Sequence, residues 1–389
     1  MLGRVKKRTD EAKFLKLFSR NQTRKALAAL GGSARAARWH KFYRAAVIIG
    51  LVIAPGVASV ARAESTNVFS AGLPGRAARV VIVEDSKAID AFRPRTDRIR
   101  AMMISGITNL TRMGNVRDAW RSLVSTQDIV GIKVYSTPGP NSGTRPAVVA
   151  SVVDGLLSIG IPAKHIVVWD RQLGDLRLAG FSDLAKKYGV RLAGSVQEGY
   201  DEKVSYDAAL LGTPVWGDLE FGRTGTGIGR KSFVSKLLTR GVTKIINVTP
   251  LLNHNLASVS GNLYGLALGS VDNVGRFESE PERLATAVPE IYAMTNLSDR
   301  VVLNITDALI CQYEGGERGL LHYSTTLNQL RFSRDPVALD VLSIDELNRQ
   351  RKAADAPTIK DNLDLYHNAA LLELGVDDLK KIDVQTRKR

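Results

Sequence analysis

Between Asp128 and Arg171 the chain passes through an apolar run, a Gly- and Pro-rich turn, a helical pattern and a second apolar run. That order leaves few folds open. "DIVGIKVYS" and "KHIVVWDR" are β-branched runs without polar alternation, which marks strands covered on both faces. "TPGPNSG" is the turn, and "TRPAVVASVVDGLLSIG" predicts a helix from about Arg145. Strands joined through a helical crossover lie parallel. The cycle continues with "LRLAGFSDLAKKYG" as a helix and "VRLAGSV", "TKIINVTP" and "RVVLNITDAL" as strands. A first strand is expected at "RVVIVED", Arg79–Asp85. The expectation is an α/β fold, an open, mostly parallel sheet with helices on both faces, in a single domain over residues 79–389.

The C-terminal third adds "RDPVALDVLSIDELNRQRK", where Asp335 suits a helix N-cap and Pro336 the first turn. The tail "NLDLYHNAALLELGVDDLKKIDV" predicts one more helix, a stop at Gly375 and a short capped turn.

Ligands of such sheets gather beyond the carboxyl ends of the strands, where loops converge on a crevice. Those ends deliver Tyr135 with Asn141, Asp170 with Arg171, Asn247 with His254, and Asp307 with Glu314. Lys133 lies inside an apolar strand, where an ammonium needs either a route to solvent or a polar partner in a crevice. Asp170 beside Arg171 could orient an anion or simply pair across a turn. His254, between Asn253 and Asn255, has the chemistry of a general acid or base, and equally that of a satisfied loop histidine. His165, His322 and His367 have no partner legible in sequence.

The net charge of +15 suggests nucleic acid until it is located. Met1–Arg44 holds 13 Lys or Arg against Asp10 and Glu11, which with Arg62 leaves only +3 over Glu64–Arg389. Nucleic-acid binding therefore loses its support. The basic leader precedes an uncharged apolar run, Ala45–Ala61, and then Ala61-Arg62-Ala63, the order of a secretory signal cut after Ala63. Left uncut, the same segment is an N-terminal membrane anchor. Either way residues 1–63 export the body to the periplasm or beyond, with residues 64–78 as linker. Cys311 is the sole cysteine, which excludes an internal disulfide and a thiolate-held iron–sulfur cluster, and it reads as a buried small hydrophobe. "GRTGTGIGRKS", Gly222–Ser232, resembles a phosphate loop but misses its spacing, since Arg230 separates Gly229 from Lys231. A loop contact with an anion through Arg230 or Lys231 fits it better.

Four blocks in order, "VGIKVYSTPGPNSGTRPAVVASVVDGLLSIGIPAKHIVVWDR", "IINVTPLLNHNLASVSGNLYG", "NITDALICQYEGGE" and "FSRDPVALDVLSIDEL", resemble the domain-of-unknown-function family 362 over roughly Arg79–Val384. The resemblance implies an α/β fold, frequent export and no settled activity. Some relatives carry ferredoxin-like cysteine segments, which a chain with Cys311 alone cannot supply. In the family the histidine block reads Asn-Val-Pro-x-Leu-Lys-x-His, followed by Thr and Lys-Asn. Here Asn247 and His254 match, Leu252 stands in place of the lysine, Ser260 in place of Thr, and Tyr264-Gly265 in place of Lys-Asn. Lys133, Asp170, Arg171, Asp307 and Asp335 keep their matching types.

The expected site has Lys133, Asp170 and His254 as catalytic groups and Arg171, Asn247, Asn255, Asp307 and Asp335 as ligand-binding groups. It would take a small anionic or metal-linked ligand, with Lys133 and Arg171 holding negative charge and His254 moving a proton. The competing readings are a non-catalytic exported binding or scaffold protein and a redox partner with an external cofactor.

Overall fold

The computed structural model describes residues 77–212 and 229–389. The expected signal or anchor segment 1–63, nearly all of the expected linker 64–78 and most of the Gly222–Ser232 string lie outside the described residues. Strands β1 (Ala78–Glu84), β2 (Val130–Val134), β3 (Ile166–Asp170), β4 (Arg191–Gly194), β5 (Lys244–His254), β6 (Val301–Gln312), β7 (Ser324–Ser333) and β8 (Ile382–Lys388) form one sheet. Their order is β8-β1-β7-β6-β5-β2-β3-β4. Neighbours are parallel except where β7 meets β1 and β6. The fold is the expected α/β, with a mostly parallel sheet.

Helices α1 (Thr96–Thr111) and α2 (Pro146–Ser158) bury Met102, Ile107, Val149 and Val152 against one face, over Ile132, Val168 and Ile246. Helices α3 (Asn262–Gly269), α4 (Pro281–Tyr292), α5 (Pro336–Ala353) and α6 (Leu363–Leu371) cover the other face, over Val167, Trp169 and Ile245. Each fully buried aliphatic or aromatic side chain contributes about 1.5–3 kcal/mol, so a sheet sandwiched this way needs no cross-link. Small residues set the spacing. A Cβ on Gly155 of α2 would lie 2.2 Å from the Trp120 indole nitrogen, and Trp120 is itself buried. Gly155→Ala should therefore destabilise by about 1–3 kcal/mol in urea unfolding, overriding the usual helical gain of Ala over Gly. A stabilised variant would contradict this packing.

The chain departs from expectation in three places. β5 does not stop at Pro250 but continues to His254, although Pro250 has no N–H for a central ladder. Strand β6 absorbs the defect by bulging: Asp307 stands opposite Pro250, and the next partner, opposite Leu251, is Cys311. Gly180, at φ 88°, divides the expected single helix into Leu173–Leu178 and Phe181–Tyr188. The tail has the expected helix and the capped turn at Leu379–Lys381, but then adds β8, which pairs parallel with β1. No helix among the described residues is long and apolar enough to cross a membrane.

From β2 the chain moves outward through β3 to β4, then returns to lay β5 on the other side of β2. This reversal opens a crevice between the carboxyl ends of β2 and β5.

Candidate functional site

Lys133 answers its sequence puzzle by pairing inside the protein. Its ammonium is fully buried, donates to Asp170 Oδ1 at 2.8 Å and to the Val134 carbonyl at 2.7 Å, and lies 5.5 Å from the Trp169 ring centroid. The last residue of α3, Gly269, closes over it: a Cβ there would sit 2.5 Å from Lys133 Cε. The carbonyl end of a helix favours a cation, which adds to the pair. Asp170 is used completely. Oδ1 also accepts the Arg171 N–H, and Oδ2 accepts both the N–H and the hydroxyl of Ser136 at 2.7 Å. One carboxylate thereby ties the loop after β2 to the loop after β3.

Above this pair stand Tyr135, expected at a strand end, and Tyr264, together with carboxylates the sequence did not mark. Tyr135 is buried and its hydroxyl donates to Glu317, while the Tyr264 hydroxyl donates to Glu278 at 2.9 Å. Burial first, and then the neighbouring carboxylates, push both phenols well above their ordinary value, so both remain protonated donors. Glu317 is delivered by a loop curled around one side chain. Gln312 Nε2 donates to the carbonyls of Glu314, Gly316 and Arg318, and its Oε1 accepts the Leu320 N–H. Gly315 and Gly316, both at positive φ, permit that curl. Asp175 is raised by burial and by Asp170, and Arg171 acts electrostatically on Tyr264. A side chain at position 265 would crowd Tyr135, since a Cβ would come within 3.3 Å of its ring.

His254 packs on Tyr264, with ring centroids 4.2 Å apart. It sits at the tip of a hairpin, opposite Ser258, and its Nδ1 accepts the N–H groups of Leu256 at 3.2 Å and Ala257 at 3.0 Å. Two donors on Nδ1 place the ring proton on Nε2. Burial lowers its pKa to about 4. The imidazole is thus a neutral Nε2–H donor, not a base near neutral pH. In a pH titration by NMR its ring signals should stay fixed from pH 8 to 5.5. The depressed folded value means that its stabilising contribution is full above pH 6.5 and lost as pH falls towards 4, on the order of 2–3 kcal/mol. A midpoint near 6.5 would refute the Nδ1 arrangement.

The remaining expected residues lie elsewhere in the fold. Asn247 is buried in the sheet and donates to the Asn262 carbonyl at 3.0 Å, and Asn262 is held by Asp340, whose carboxylate accepts the N–H groups of Asn262 and Leu263. Burial raises Asp340 to about 7 against the pull of those donors. Asp307, fully buried at the β6 bulge, holds Arg145 at 3.0 Å and accepts the N–H groups of Arg145 and Leu309. Asp335 is at the opposite end of the sheet, where its two oxygens accept the Ala338 and Val376 N–H groups. Asn255 is exposed beside the 313–320 loop and accepts from Asn253, whose own oxygen accepts the Gly316 N–H. Arg230 pairs with Asp207 at 3.2 Å on the surface. Cys311 is buried, and burial pushes its thiol up to about 12. The structure therefore groups Lys133, Asp170, Arg171 and His254 around Tyr135 and Tyr264, and employs Asn247, Asp307 and Asp335 in holding the scaffold.

A family model described as "Domain of unknown function (DUF362)" matches residues 130–345, more than half of the chain. The chain belongs to DUF362. The matched region opens at β2 and closes within α5, so it contains the crevice and the hairpin of His254. No curated protein matches the chain. Among solved structures, a crystal structure of a protein from Thermotoga maritima is similar at 10% identity and a TM-score of 0.38, covering 69% of this chain and 61% of that one. Within this DUF362 member, Leu252, which the resemblance sets where a lysine is expected, is fully buried in the apolar core.

Proposed function

We propose that the crevice between β2 and β5 is a recognition site for a small ligand bearing hydroxyl or amino groups, and that it binds without transferring protons. The carrying observation is the state of its three expected catalytic groups: Lys133 and Asp170 satisfy each other, and His254 Nδ1 is held by two backbone amides. What faces a ligand beyond that pair is the Nε2–H of His254 and the carboxylates of Glu317 and Asp175, with Arg171 and Glu278 beside them already engaged within the protein. Carboxylates outnumber cations there, so the anionic ligand expected from sequence gives way to a neutral or cationic one: the charge of Lys133 is already neutralised. Among the described residues no three His, Cys, Asp or Glu side chains are placed to hold a metal ion, and the reading invokes none. A thermal-shift panel of polyols, sugars, diamines, carboxylates and phosphates tests it. Stabilisation by hydroxylated or amino compounds, lost in Glu317→Gln, supports the reading; stabilisation by the anions alone overturns it.

We also propose that the body acts outside the cytoplasm. The support is the order of basic leader, apolar run and Ala61-Arg62-Ala63. N-terminal sequencing of the protein from a cell-envelope extract should start at Glu64, or give an intact chain in the membrane pellet if the segment is an anchor. An intact chain confined to the soluble cytosolic fraction would end the export reading.

A further inference from the structure

A cavity of about 600 Å³ opens at the other end of the sheet from the crevice, where β5 starts at Lys244 and β6 at Val301. Its volume is in the range that encloses a small organic molecule. Leu123, Val124, Leu372 and Leu374 give the wall an apolar stretch, and the rest of it is polar, with Arg121, Lys244 and Arg334 set against Asp128, Asp299 and Glu373, and with Tyr292 among them. Tyr292 is 3% exposed, and its hydroxyl has no hydrogen-bond partner among the described residues. An enclosed hydroxyl left unpaired costs about 1–3 kcal/mol, which calls for an acceptor the chain itself does not provide. Arg334, exposed at the end of β7, makes no ion pair or side-chain hydrogen bond within the described residues. The carboxylate of Asp128 on the same wall is occupied, accepting from Ser125 N–H and the Thr243 hydroxyl. Asp299 lies beside Arg300, which it influences electrostatically.

We propose that this cavity is a second binding site, for a small organic acid whose apolar body lies on the leucines and whose carboxylate or phosphate oxygens meet Arg334 and the Tyr292 hydroxyl. A guanidinium and a phenol on the wall of one cavity both donate, which favours an acceptor-only oxyanion as the head group. The site is separate from the crevice and does not depend on how that crevice is used. Titration calorimetry with benzoate, phenyl phosphate and hexanoate on the purified chain tests it, with Arg334→Gln, Tyr292→Phe and, as a control, His254→Ala. At least one acid should bind saturably, about tenfold more weakly in Arg334→Gln and in Tyr292→Phe and unchanged in His254→Ala. Tyr292→Phe should leave the ligand-free melting temperature equal or higher, because the hydroxyl it removes is unpaired. No saturable binding of any of the three acids, or binding indifferent to both substitutions, overturns the proposal. Arg334 is exposed, so its variant keeps the test open even if the Tyr292 variant fails to fold.

Discussion

Asp170→Ala should lower stability by about 3–5 kcal/mol in urea unfolding, the largest effect of any single change at the crevice. The substitution strands a fully buried ammonium and also removes the acceptor for the Ser136 and Arg171 N–H groups. Desolvating a lone cation is the dominant part of that cost, so removing it as well must restore much of the loss. Lys133→Met combined with Asp170→Ala should accordingly be more stable than Asp170→Ala alone, with a coupling on the order of 1–3 kcal/mol in the double-mutant cycle. A single-mutant cost under about 1 kcal/mol, or additive effects, would mean that the ammonium reaches solvent after all.

Asp307→Ala should cost a similar amount, about 3–5 kcal/mol, for a related reason at a different place. It leaves the buried Arg145 guanidinium without its counter-charge and the Leu309 N–H without an acceptor inside a bulge. The revealing comparison is Asp307→Asn. The amide keeps the size of the carboxylate, but its NH₂ must face either the Arg145 guanidinium with the Leu309 N–H or the Arg145 backbone N–H, all of them donors. Asp307→Asn should therefore be nearly as costly as Asp307→Ala. Unfolding curves in which Asn is close to wild type would show that volume, and not charge, is what the position requires.

The parallel half of the sheet was legible because strands buried on both faces are written as uninterrupted β-branched runs, as in "VGIKV" and "IVVWD". The strands β7 and β8 were not. "STTLNQLRFS" mixes polar residues into a half-exposed strand, and "IDVQTRK" forms a largely exposed sheet edge, so neither shows an apolar signal. At the site, the cost of an ammonium in an apolar strand showed that Lys133 needs a route to solvent or a polar partner, but not that the partner is Asp170. Asp335 was legible as a helix N-cap, but nothing around Asp307 announces that its oxygens hold Arg145 and the Leu309 N–H. Glu317 lies 182 residues from Tyr135 in sequence, and no local pattern announces that contact. The fate of His254 depended on a hairpin whose tip folds two amides onto its ring, which a strand ending at Pro250 would not have formed.

The curl of residues 313–320 around Gln312 separates the wall of the crevice from the sheet that carries it. Three of the four bonds that shape the loop end on main-chain carbonyls and the fourth on a main-chain N–H, so the curl is indifferent to most side chains along it. Residues at positions 317 and 318 can therefore be exchanged, altering what the crevice admits, while one amide keeps the outline. In this fold, selectivity can diverge at the rim without disturbing the core.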